Sequence, residues 1–382
     1  MQQRTSIIIL SCNTLEITRK CIESIRRFTA SGTYEIIVID NASADGSAEW
    51  LRTEQGIKCL FNQENEGFPK GCNQGMAEAG RDNDILLLNS DVVVTPRWLE
   101  QLKTALYSAE DVGAVSLVTN RCSNRQQIQT EYTSLDKMQE FAESYNHTDP
   151  RRWTECFRLV GFCLLIKRKV ADMIGGLDER FTPGNYEDDD YSLRIREAGY
   201  RLLLCRDTFI HHFGSASFKK YLSAESLKGK SEQFMALLKR NEQLFCQKWQ
   251  LSPKYRAVET LAAGELPKKL PEKARILHIG CGCGATLFLI KERLSAAKIT
   301  GIAYDRQEAM IAGWSFEASF CGNIEAEIFS LLSGQYDWII ISQLQEKVKN
   351  INEFLKALFQ YVSPGGAMYC WLNDKPVAVT KE

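Results

Sequence analysis

The sequence predicts an α/β protein of two units, each built on a mostly parallel sheet. Three observations point there. Short apolar runs alternate with amphipathic stretches from residue 6 to about 118. A second such series opens at Ala274. Between them, Leu266-Pro-Lys-Lys-Leu-Pro-Glu-Lys273 carries two prolines and four charges, the composition of a linker. Strands that alternate with helices form doubly wound sheets, and 382 residues suffice for two or three domains.

In the first unit, strands are predicted at Ser6 to Leu10, Tyr34 to Ile39, Ile57 to Phe61 and Asp84 to Leu88. Helical patterns separate them at Leu15 to Phe28, in the stretch after Asp45, and at Phe68 to Ala79. Residues 119 to 157 are polar and weakly patterned, which reads as an irregular excursion over the site. Val160 to Lys167 follows as a strand, Glu187 to Ala198 as a helix, and Arg201 to Cys205 and Thr208 to His212 as short strands. Residues 223 to 249 are predicted to be helical. The expected division is 1–250, a linker at 251–273, and a smaller Rossmann-like α/β domain at 274–382.

Composition narrows the function. Lys and Arg number 47 against 48 Asp and Glu, so no global field recruits nucleic acid or anionic lipid. No apolar run approaches the ~20 residues of a membrane span. The apolar core of Ser6 to Leu10 is too short for a signal peptide, so a cytoplasmic location is expected, with peripheral attachment at the inner membrane face as an option. The 13 cysteines are scattered, and Cys281-Gly-Cys283 lacks a second pair to complete a zinc site. They read as reduced core thiols.

Open α/β sheets bind ligands beyond the carboxyl ends of their strands. Three polar clusters fall there: Ser11-Cys-Asn13, Asp40-Asn41-Ala-Ser43 and Asn89-Ser90-Asp91. Together with Val38-Ile-Asp-Asn-Ala-Ser-Ala-Asp-Gly46, Asn65-Glu-Gly-Phe-Pro-Lys-Gly-Cys-Asn-Gln-Gly75, Gly175-Gly-Leu-Asp-Glu-Arg-Phe181, Tyr186-Glu-Asp-Asp-Asp190 and His211-His-Phe-Gly-Ser-Ala-Ser217, they resemble the family 2 glycosyltransferases. The resemblance covers about residues 4–217 and implies the nucleotide-sugar-binding GT-A fold.

Transfer of a sugar from a nucleoside diphosphate leaves negative charge on the diphosphate, which a divalent cation on hard oxygen ligands can neutralise. Asp91, at a strand end, is the candidate ligand for Mn²⁺ or Mg²⁺; a structural role would have it capping the helix near Pro96. The resemblance adds His211 as a second ligand, with His212 as an alternative that spacing leaves open. Relatives often carry Asp-x-Asp where this chain has Asn89-Ser90-Asp91. Asp40 can accept a uracil or thymine ring N–H, or simply form an Asx-turn. Ser11, Asn13 and Asn89 join the nucleotide-sugar site. Asn65, Lys70 and Asn73 surround a glycine-punctuated helix entry that suits phosphate, although Gly67 and Gly71 also permit close packing. The resemblance makes Asp188 the general base, and a first-turn acidic cluster is also favoured by the helix dipole. The implied substrates are a UDP- or dTDP-linked sugar and a glycan, lipid-linked or protein acceptor, in surface glycan or glycoprotein synthesis with possible glycan-assembly partners.

In the second unit, Ala274-Arg-Ile-Leu-His-Ile-Gly-Cys-Gly-Cys-Gly284 is a strand running into a glycine loop, and Ser363-Pro-Gly-Gly366 precedes a later strand. The series resembles class I S-adenosylmethionine-dependent methyltransferases. That makes Gly280, Gly282, Gly284 and Asp305 candidate cofactor contacts. His278 stands where relatives usually have Asp, and the ribose-holding position falls on Ala303. The last two strands of that fold are expected to be missing. A degenerate cofactor-binding or docking module is the expectation, and a bifunctional glycosyl- and methyltransferase or a non-catalytic binding protein are the rivals.

Overall fold

The structure, a computed structural model, describes residues 3–214, 227–253, 255, 270–372 and 375–381. Ser215 to Ser217 of the histidine segment, residues 223–226 of the predicted helix, and most of the predicted linker lie outside the described residues. The chain divides into two compact units, Met1–Phe245 and Cys246–Glu382.

The first unit opens with β1 (Thr5–Ser11), α1 (Leu15–Phe28), β2 (Tyr34–Asp40), α2 (Ser47–Thr53), β3 (Ile57–Phe61), α3 (Gly67–Glu78), β4 (Asp84–Asn89), β5 (Val92–Val93) and α4 (Trp98–Leu106). It continues with β6 (Val112–Thr119), α5 (Leu135–Tyr145), β7 (Trp153–Glu155), β8 (Cys163–Ile166), α6 (Arg168–Ile174), α7 (Glu187–Glu197) and β9 (Arg201–His212). Helix α8 (Leu227–Trp249) follows. The strand order is β3-β2-β1-β4-β8-β6-β9-β5, with β7 on β9. From β3 to β4 the sheet is parallel; β8 then enters antiparallel to both β4 and β6.

Strand side chains alternate faces, and here both faces are covered. Ile7, Ile9, Ile36, Val38, Leu86 and Leu88 pack with Ile22 and Ile25 of α1 and Trp98 and Leu102 of α4. Ile8, Ile37, Ile39, Ile85 and Leu87 pack with Cys72 of α3 and Tyr191 and Ile195 of α7. Two-sided burial is why these strands read as continuous apolar runs. Gly71 lets α3 lie directly on the sheet, since a side chain there would collide with Leu10.

Two expectations need correction. The stretch 119–157 is not simply irregular. It holds α5, a 3-10 turn at Pro150–Arg152 and β7. The two short strands predicted after Arg201 are one strand, β9, whose pairing with β6 shifts register between Leu117 and Val118.

In the second unit, β10 (Arg275–Ile279), α9 (Ala285–Arg293), β11 (Lys298–Ala303), α10 (Arg306–Gly313), β12 (Glu317–Phe320), α11 (Ile324–Leu331), β13 (Tyr336–Ile341), α12 (Ile351–Phe359), β14 (Val362–Leu372) and β15 (Lys375–Thr380) form a six-stranded sheet. Its order is β12-β11-β10-β13-β14-β15, parallel except for the antiparallel β14–β15 pair. β15 corrects the expectation that both final strands are absent: one closing strand is present. Among the described residues, no helix is long and apolar enough to cross a membrane.

Candidate functional site

Parallel pairing brings the polar strand ends of the first unit together. Ser11 pairs with Asp40, and Leu10 with Asn89, so the ends of β1, β2 and β4 share one edge. Asp91 is added by β5, which pairs antiparallel with the end of β9 and sets Val92 opposite His212. The helix after Pro96 starts at Trp98, with Arg97 at its cap position, so Asp91 does not cap it.

The strand pairing distinguishes the two histidines. His212 Nε2 lies 3.1 Å from Asp91 Oδ1, and its Nδ1 lies 2.8 Å from the Arg121 carbonyl. That carbonyl can only accept, so Nδ1 carries a proton and Nε2 faces the carboxylate. Burial works against charging this ring, and Asp91 more than offsets it, raising the His212 pKa. His211, one residue away, faces the opposite side and meets Tyr132 Oη at 2.6 Å through Nδ1. Burial, together with the His212 charge, pushes it down to about 4. His212, not His211, is therefore the ligand candidate that the fold brings to Asp91.

The pair fits a divalent ion. Two neighbouring positions of an octahedral ion with bonds of ~2.1 Å are ~3.0 Å apart, close to the observed 3.1 Å. A cation held by this pair would displace any proton that Nε2 carries. Among the described residues, no third His, Cys, Asp or Glu completes the site; a cation here would need further ligands from a bound diphosphate or water.

Asp188 is half-buried in the first turn of α7. It accepts from Gly161 N at 3.3 Å and from Asp189 N at 2.9 Å. Burial, then the Asp189 charge, push its pKa up to about 6, against the pull of Arg158 and the two N–H groups. The other carboxylates differ. Asp189 pairs with Arg158 at 2.8 Å and Asp190 with Arg194 at 2.9 Å. Glu187 is buried, its Oε2 has no partner among the described residues, and burial together with Asp188 raises its pKa well above the usual range. The turn into α7, left-handed at Asn185 and Tyr186, is held by Asn241 of α8, which donates to the carbonyls of Phe181, Gly184 and Asn185. No sequence motif signals Asn241 or Arg158.

One dipeptide joins both halves of the site. Gly161 N reaches Asp188, while the Phe162 ring stacks on His212 with centroids 5.1 Å apart and the Phe162 carbonyl accepts from Asn89 N at 2.8 Å.

The remaining predicted residues divide by role. Asp40 is buried; its Oδ2 accepts from Ser43 N in the Asx-turn, and its buried Oδ1 has no partner among the described residues. Asn13 braces the same loop through Ser43 and Ala44. Asn65 accepts from Asn41 and Gly67 N. These contacts stitch three loops into one rim. Ser11 is fully buried, its hydroxyl within hydrogen-bond distance of those of Thr14 and Thr18. Asn73 spends its amide on Leu177 and Glu179 and braces the turn before α7. Lys70 is paired with Glu66 at 2.5 Å.

In the second unit, Gly280, Gly282 and Gly284 all have left-handed backbone between β10 and α9. Beside them is a cavity of about 60 Å³, reached by His278, Tyr304, Glu308 and Tyr255. Small-molecule pockets usually span ~300–1,000 Å³. Asp305 is exposed and caps α10 through Gln307 N and Glu308 N. Ala303 is fully buried and carries no polar group. His278 is buried against Ser342, and burial lowers its pKa to about 3, so it is neutral where a carboxylate would hold an ammonium group. These residues do not fit S-adenosylmethionine.

The sequence profile described as "Glycosyl transferase family 2" matches residues 6–175, and a "Methyltransferase domain" profile matches residues 250–381. The uncharacterized protein y4gI of Sinorhizobium fredii is 28% identical over 227 residues, 56% of this chain and 24% of its own. The O-antigen biosynthesis protein RfbC of Myxococcus xanthus is 24% identical over 56% of this chain and 18% of its own. Glycosyltransferase AglE of Haloferax volcanii is 24% identical over 54% of this chain and 66% of its own. The chain thus spans a quarter or less of the first two relatives. Residues 6–175 form a family 2 glycosyltransferase domain, and residues 250–381 a methyltransferase-type domain.

Proposed function

We propose that the first unit transfers a sugar from a UDP- or dTDP-sugar to a hydroxyl acceptor with inversion at the anomeric carbon. The observation that carries this reading is the Gly161–Phe162 bridge, which sets an ionisable carboxylate, Asp188, and the Asp91–His212 pair around one strand edge. Asp40 Oδ1, a buried acceptor without a partner among the described residues, suits the ring N–H of uracil or thymine. Asp91 and His212 would hold a divalent cation, which would supply neutralising charge to the departing diphosphate. Asp188 takes the acceptor hydroxyl proton. As it does so, the acceptor oxygen bonds to the anomeric carbon, and the electron pair of the breaking C–O bond leaves with the diphosphate. Its pKa of about 6 leaves it ionised at neutral pH yet more basic than an ordinary carboxylate.

The glycosyltransferase name of AglE supports sugar transfer, and the O-antigen name of RfbC supports a glycan acceptor in surface polysaccharide synthesis. For the second unit, the cavity and the lost carboxylates support a docking role over methyl transfer. Screening UDP- and dTDP-sugars for release of the nucleoside diphosphate, with Mn²⁺ and with EDTA, tests the transferase reading. Metal-dependent release from at least one donor is expected, and no release from any donor counts against it.

A further inference from the structure

Arg121 is wired to the ligand pair through backbone. The preceding residue, Asn120, accepts the His212 N–H on its Oδ1 at 2.8 Å, and the Arg121 carbonyl receives the His212 Nδ1 proton. The guanidinium then turns back along the strand end. Its Nη1 donates to the Phe213 carbonyl at 3.2 Å, and Phe213 N donates to the Asp91 carbonyl at 2.9 Å. The stem lies flat on Gly214, where any side chain would collide with Arg121 Cδ. The residue as a whole stays exposed.

Two hydrogen bonds in series, Arg121 Nη1 to the Phe213 carbonyl and Phe213 N to the Asp91 carbonyl, tie the guanidinium to the strand end that carries Asp91 and His212. A polyanion arriving there meets a positive charge. An arginine fork offers five N–H donors matched to phosphate oxygens, and among the described residues one of them is used, by the Phe213 carbonyl.

We propose that Arg121 contacts the diphosphate of the donor and holds the leaving group beside Asp91 and His212. The assignment rests on the transferase reading above. It is tested on the full chain with Mn²⁺, using whichever of UDP and dTDP the wild type binds more tightly, and the matching free nucleoside. Arg121→Gln should weaken the diphosphate about 10–100-fold, the range for hydrogen bonds to a charged group, and leave the nucleoside and the melting temperature unchanged. Arg121→Lys should recover part of the loss. Equal diphosphate affinity in the Gln variant, or parallel loss of diphosphate and nucleoside, overturns the assignment while leaving the transferase reading intact. A wild-type chain that takes up neither diphosphate defeats the reading itself, and Arg121 with it.

Discussion

The Gly161–Phe162 dipeptide links Asp188 on α7 to the Asp91–His212 pair; in the proposed reaction the two carboxylates act on different partners, and their variants should separate. Asp188→Asn keeps the size, and one of the two accepted N–H bonds, while removing the base. Donor binding should survive, and transfer should fall by at least ~10²-fold; near-normal turnover measured alongside intact donor affinity contradicts the role. The base works ionised, so with a pKa of about 6 wild-type kcat/KM should climb from about pH 5 to about pH 7 and then level. Stability carries the opposite sign. The folded pKa lies above the ordinary 3.8, so the native state binds the proton more tightly than the unfolded chain. The ionised carboxylate therefore costs stability above about pH 6, and the cost vanishes below the unfolded value. Asp188→Asn should thus be more stable than wild type by about 1–3 kcal/mol at pH ~8, with the gap closing by pH ~4. A destabilised variant at the higher pH contradicts this account of its environment.

Elements buried on two faces were legible in the sequence; those held by single distant contacts were not. β1, β2 and β4 declare themselves because each carries an unbroken apolar run of four, Ile7 to Leu10, Ile36 to Ile39 and Ile85 to Leu88. Helix α5 buries only Met138 and Ala142, too thin a stripe to stand out from polar surroundings. Its anchor is Asn146 at the C-terminal cap, fully buried, which donates to Thr95 and to the Pro96 carbonyl and accepts from Phe209 N. Asn146→Ala strands these groups and should cost about 2–4 kcal/mol in urea unfolding; a loss under ~0.5 kcal/mol, within the range of ordinary surface substitutions, shows that the excursion is held some other way. β15 escaped notice for a related reason, since its Val377 and Val379 are partly exposed and Pro376 sits within it. The choice between His211 and His212 also needed the fold: neighbouring strand residues face opposite ways, and only the β5–β9 register shows which one meets Asp91.

At the scale of the whole molecule, two α/β units carry unequal chemistry. The motifs Asn89-Ser90-Asp91 and Glu187-Asp188-Asp189-Asp190 located the first site, because carboxylates at strand and helix ends are local features. Ser11 and Asn73 carried the same sequence signal but serve the framework, a distinction that only their hydrogen-bond partners reveal. In the second unit, the glycine loop was legible while the closed cavity was not, because Tyr304 and Tyr255 approach it from separate segments. S-adenosylmethionine titrated into the full chain should show no binding in the micromolar range, and micromolar affinity there revives the bifunctional alternative. The central claim is a diphosphate site built on Asp91 and His212. Its most direct test is calorimetric titration of UDP and dTDP into wild type, Asp91→Ala and His211→Ala, each with Mn²⁺. Mn²⁺-dependent binding should be lost in Asp91→Ala and kept in His211→Ala; unchanged affinity in Asp91→Ala would contradict the site.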